Sequence, residues 1–109
     1  MSDVAEIEKH IEKLRETAAR KELALKLEKN RDFRKLILEE FCTNECANYA
    51  QLSADPNMSA ESRADCLGLA QAAGHLRRWL SVCIQMGTRA EDDIKRAETE
   101  LEEARREEI

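Results

Sequence analysis

Apolar residues recur at helical spacing along nearly the whole chain. Val4, Ile7, Ile11, Leu14, Ala18 and Leu25 stand three, four and seven apart, a heptad-like stripe interrupted by Lys21. Asp3 can act as N-cap, and Glu6 three residues later completes a capping box. No glycine or proline breaks the pattern before Asn30, so the first predicted helix covers residues 4–29. Leu23 and Leu27 fall off the stripe, so the buried face rotates or widens toward the end. A helix this polar needs a partner along its apolar stripe, because propensity alone does not hold it in water.

Asn30 can cap a new helix over residues 31–54, although a straight continuation is also open. This segment is apolar at Phe33, Leu36, Ile37, Leu38, Phe41, Cys42, Cys46, Tyr49 and Leu52, and it holds both phenylalanines. Asp55-Pro56-Asn57 is the clearest break, since Pro56 cannot continue a helix and pushes Asp55 out of helical geometry. Ser59 then caps a third helix over 60–86, striped by Leu69, Ala72, Ala73, Leu76, Leu80 and Cys83. Leu67, Ala70, Gly74 and Ile84 extend its apolar surface, and the small residues Ala70, Ala72, Ala73 and Gly74 suit a tight helix crossing. Gly87 fits a left-handed C-cap, and Thr88 with Glu91 forms another capping box. A fourth helix over 89–108 follows, with Ala90, Ile94, Ala97, Leu101 and Ala104 as a thin seam.

The expected fold is all-α. Four helices form a central antiparallel hairpin with long, coiled-coil-like helices at either end. Residues 1–29 make an N-terminal arm, 30–86 the core hairpin and 87–109 an acidic C-terminal helix within a single domain. Phe33, Ile37, Phe41, Tyr49, Leu69, Leu76 and Leu80 are the expected core. The outer stripes need partners, which makes Ile7, Ile11, Leu14, Ile94 and Leu101 the candidate seam of an oligomer.

Composition agrees with helices: three glycines and one proline in 109 residues leave too little turn chemistry for a many-stranded sheet fold. Net charge changes the functional picture. At −5 overall, the chain is not a general nucleic-acid binder, which needs an excess of cations. The charge is nevertheless uneven. Residues 20–35 carry seven cations against three acids, whereas 88–109 carry nine acids against five cations. The plainer explanation is two solvated helix faces; the sharper one is mutual attraction within or between chains. No secretory pattern opens the sequence, and no apolar run approaches the roughly 18 residues of a membrane span. A soluble protein of intracellular origin, without membrane contact, is expected.

Four cysteines, at 42, 46, 66 and 83, are the main candidate chemistry. Cys42 and Cys46 stand one helical turn apart, and a hairpin folded at Pro56 sets Cys46 and Cys66 at similar heights. Structural zinc needs four ligands, commonly with a tight knuckle, and helix-buried cysteine is most often a small hydrophobe. No metal or cofactor is expected. A catalytic cysteine would need a base and an oxyanion loop, and His75 has no such company. Glu39-Glu40 and Asp92-Asp93 are adjacent on helices, so the members of each pair diverge by about 100°. No enzyme is expected and no catalytic residue is assigned. Arg77-Arg78-Trp79 is the candidate partner contact, a cationic and aromatic cluster.

Three segments resemble small helical accessory and structural proteins of tailed bacteriophages. They are Asn30-Arg31-Asp32-Phe33-Arg34-Lys35-Leu36-Ile37-Leu38, the junction Ala54-Asp55-Pro56, and Gly74-His75-Leu76-Arg77-Arg78-Trp79-Leu80. The likeness spans about residues 30–84. It implies a non-enzymatic protein-interaction component of a virion or of head or tail assembly, in the host cytoplasm or the particle. Its partners would be further copies or a capsid, portal or tail protein. One alternative is a small nucleic-acid module of the terminase small-subunit or regulator kind, using Arg20 to Lys35 with Arg77 and Arg78. Another is an adaptor or inhibitor that binds a host protein.

Overall fold

Asn30 breaks the chain into its first two helices. Its backbone is extended (φ −72°, ψ 122°), and its Oδ1 accepts the amide of Phe33 at 2.9 Å, so it caps the helix that follows. The computed structural model describes residues 2–108 and contains no strand among them. Helix α1 spans Ser2–Lys29. Helix α2 covers residues 31–52 in three consecutive parts: an α-helical turn Arg31–Phe33, a π-helix Arg34–Glu45 and an α-helix Cys46–Leu52. Helix α3 runs unbroken from Ala60 to Glu107. The all-α expectation holds, with three helices instead of four.

The missing boundary lies at Gly87. The residue is buried within α3, where a β-carbon would collide with the Cβ of Lys21 on α1. Its lack of a side chain therefore serves a close helix approach and not a C-cap. Thr88 is no cap either: its hydroxyl donates to the carbonyl of Ile84, as helix-interior threonines do. The capping box expected at Asp3 is likewise absent, because α1 already includes Ser2; Asp3 sits inside the first turn.

The chain packs as two units. The first combines residues 2–25 of α1 with 81–108 of α3. Here the helices are antiparallel: Glu8 accepts from Arg105 at 3.0 Å, and Glu91 accepts from Lys21. Their seam is made mostly of small side chains, with Ile11, Ala24, Cys83, Ala90 and Ala97 all buried. Small residues at alternating spacings of three and four let the helix axes approach closely. Leu23, expected near a widened buried face, is 62% exposed.

The second unit, Lys26–Leu80, is the helical hairpin of α2 and the first part of α3. The turn is built as the sequence indicates. Asp55 Oδ1 accepts the amide of Asn57, and Ser59 Oγ accepts the amide of Ser62 at 3.1 Å. Cys42, Cys46 and Leu80 are buried, while Phe33, Ile37, Phe41, Tyr49 and Leu76 are half-buried. Leu69 is not core, being 47% exposed; its carbonyl instead accepts a hydrogen bond from Cys46 Sγ at 3.6 Å. Gly74 does not mark a tight crossing, since nothing lies within 4 Å of a β-carbon built there.

The π-helix has a cause in the apolar spacing. Phe33, Ile37, Cys42 and Cys46 are separated by four, five and four residues. At about 100° per residue an α-helix would set Phe33 and Cys46 on nearly opposite sides. The slower i→i+5 winding returns them to one face and leaves Glu40, Asn44 and Glu45 exposed. The Cys46 amide bonds Phe41 five residues back, and the Thr43 hydroxyl donates to Leu38 across the same interval.

Candidate functional site: a basic groove on the π-helix

The π-winding also shapes the outer surface of the hairpin. Nine residues separate Arg34 from Thr43, which in an α-helix would place them about half a turn apart. In the π-helix nine residues complete about two turns, so both line one groove with Leu38 and Glu39. Lys29, Arg31 and Lys35 complete that wall, and Arg77 of α3 closes the other side. The groove has a volume of about 700 Å³ and lies wholly within the hairpin unit.

Arg77 ties its two walls together. Its Nη2 donates to the Leu38 carbonyl at 3.3 Å and to Thr43 Oγ1 at 3.5 Å. Leu38 O thus receives the guanidinium and the threonine hydroxyl together, fixing the winding at the groove's centre. Glu39, the single acid of the lining, pairs with Lys35 at 3.3 Å. Both side chains are exposed, so the pair adds little stability. Lys29, Arg31 and Arg34 have no side-chain partner among the described residues. The groove therefore presents an uncompensated positive field on an otherwise acidic protein.

The structure separates the candidate contact Arg77-Arg78-Trp79. Consecutive helical residues point about 100° apart, so Trp79 faces roughly away from Arg77. Arg77 turns onto α2, Arg78 is exposed, and Trp79 is 55% exposed. Of the basic stretch 20–35, Lys29, Arg31, Arg34 and Lys35 gather in the groove, whereas Lys21 lies against Gly87 and Glu91.

The candidate seam residues Ile7, Ile11, Leu14, Ile94 and Leu101 all belong to the first unit, where α1 and α3 pack within one chain. Ile11 is buried and the other four are half-buried. Ile11 and Leu101 share one surface groove with Arg15 and Lys95. A smaller groove of about 230 Å³ surrounds Ile7 and Ala104 with five carboxylates, Asp3, Glu6, Glu100, Glu103 and Glu107. No cation lines it. The acidic C-terminal helix is legible in the sequence, but the sequence assigns Asp3 and Glu6 to a capping box; only the antiparallel packing of α1 brings them alongside that helix.

All four cysteines are free thiols, and Cys42, Cys46 and Cys83 are buried. Among the described residues no group of three or more His, Cys, Asp or Glu side chains is placed to hold a metal ion. Among the described residues no helix is long and apolar enough to cross a membrane. Comparison with protein-family models, with characterised proteins and with solved structures finds no match to this chain.

Proposed function

We propose that this chain is a non-enzymatic helical interaction protein that self-associates and serves as a structural or assembly component. The observation that carries the proposal is an inversion of ordinary burial. The buried set is Ile11, Ala24, Cys42, Cys46, Leu80, Cys83, Ala90 and Ala97, mostly small residues. Leu36, Leu67, Leu69 and Trp79 of the hairpin unit are meanwhile about half-exposed or more. Single exposed apolar residues are ordinary, but large side chains outside and alanines inside favour a core completed by another molecule. Assignment to a bacteriophage particle rests on the motif resemblance at residues 30–38, 54–56 and 74–80.

Substituting Leu36→Glu and Trp79→Glu tests this. Both side chains contribute little to packing within the chain, so helicity by circular dichroism should stay unchanged while the mass in solution falls toward the monomer. Unchanged mass in the double variant would remove the hairpin surface as the interface.

A second reading has one observation in its favour: the unpartnered cations of the basic groove suit a phosphate backbone. It predicts binding to nucleic acid that weakens steeply with salt.

A further inference from the structure

We propose that the basic groove of one copy binds the acidic groove of a second copy, making a head-to-tail contact between chains. The inference rests on the reading that the protein self-associates, and it names one of the contacts. The two grooves are complementary in sign. Among the described residues, five cations and one carboxylate line the first, and five carboxylates without a cation line the second. Each lies wholly within one unit, the basic groove in Lys26–Leu80 and the acidic groove in the other.

Lys35 pairs with Glu39 and Arg77 is held by Leu38 and Thr43, but the remaining charges of the basic groove are uncommitted. Arg31 and Arg34 have no side-chain partner among the described residues. Beside the acidic groove, Arg105 is engaged with Glu8 and Arg96 with Asp93. Like charges gathered in a groove repel one another, and a surface of opposite sign relieves both sets at once. The basic groove is also preorganised, because Arg77 and the π-winding fix its walls before anything binds.

A second copy is the favoured occupant because the five carboxylates of its acidic groove equal the five cations of the basic groove in number and oppose them in sign. The contact joins two different surfaces, so it is heterologous and leaves one groove of each kind free at either end. Such contacts propagate into rings or filaments. They also screen away with salt, unlike an apolar interface.

The test is a charge swap on the full chain. One variant carries Arg31→Glu and Arg34→Glu, the other Glu103→Lys and Glu107→Lys. All four positions are exposed, so both variants should keep wild-type helicity. Light scattering at low salt should show the wild-type mass rising with concentration. Each variant alone should lose the salt-sensitive part of that rise and fall to the mass seen at high salt, with the groove contact weaker by about tenfold or more. An equimolar mixture should regain it, because the intact acidic groove of the arginine variant meets the intact basic groove of the glutamate variant. A salt-sensitive rise that persists in either variant, or a mixture that fails to regain it, overturns the proposal. So does a fluorescein-labelled single-stranded oligonucleotide that binds wild type and not the arginine variant while mixing restores nothing; that result assigns the groove to nucleic acid. A salt-resistant oligomer indifferent to both variants overturns the groove contact and leaves self-association standing. A monomer in every buffer overturns both.

Discussion

At Gly87 a missing side chain sets the distance between two helices. Alanine there would normally gain about 1 kcal/mol of helix propensity. Its β-carbon, however, would meet the Cβ of Lys21, which is not the free end of a flexible chain. The helices must part, at a cost of about 1–3 kcal/mol. Gly87→Ala should therefore lower the urea midpoint. Gly74→Ala, with nothing within 4 Å of the new carbon, should raise stability by up to about 1 kcal/mol. Equal shifts in the two variants would show that α1 does not approach α3 at this point. Ile11 is the one large aliphatic buried in the same seam among the described residues. Ile11→Ala should cost about 2–5 kcal/mol, as large core truncations do. A loss below about 0.5 kcal/mol, the scale of surface substitutions, would contradict its placement.

Among the elements, the π-helix gives the hairpin both its inner and its outer face. The same slow winding that buries Cys42 and Cys46 brings Arg34 into register with Thr43. Arg77 holds that winding from α3, so Arg77→Leu and Thr43→Val should each loosen it. Removing one such bond is worth about 1 kcal/mol, read as roughly fivefold faster amide hydrogen exchange over residues 39–46. Arg78→Leu, one position along, should leave exchange unchanged. Equal effects from Arg77 and Arg78 would show that the guanidinium does not hold the helix.

Much of this element plan was legible in the sequence. Asn30, Pro56 and Ser59 act as written, because caps and prolines work through local geometry. The spacing of Phe33, Ile37, Cys42 and Cys46 also encodes the π-helix, but one widened repeat is easily absorbed into an α-helical stripe. Gly87 misled for a physical reason: glycine serves equally a helix end and a close approach, and only the position of Lys21 distinguishes them. Leu69 misled because periodicity marks a face without saying whether anything in the same chain covers it. The basic groove was half legible, as a charged stretch whose members the fold then sorts between two surfaces.

For the whole molecule, the account rests on how little large apolar surface the chain buries by itself. Small residues close the α1–α3 seam within one chain, while leucines and Trp79 of the hairpin remain outside. An apolar interface between copies survives salt, whereas contacts between exposed charges fade beyond a Debye length of about 10 Å at 0.1 M. Sedimentation equilibrium of the full chain at high salt, over a wide concentration range, tests the central claim most directly. The account predicts a mass above the monomer that changes little as salt is raised further. A single species at the 12.5 kDa of one chain across the whole range would contradict it.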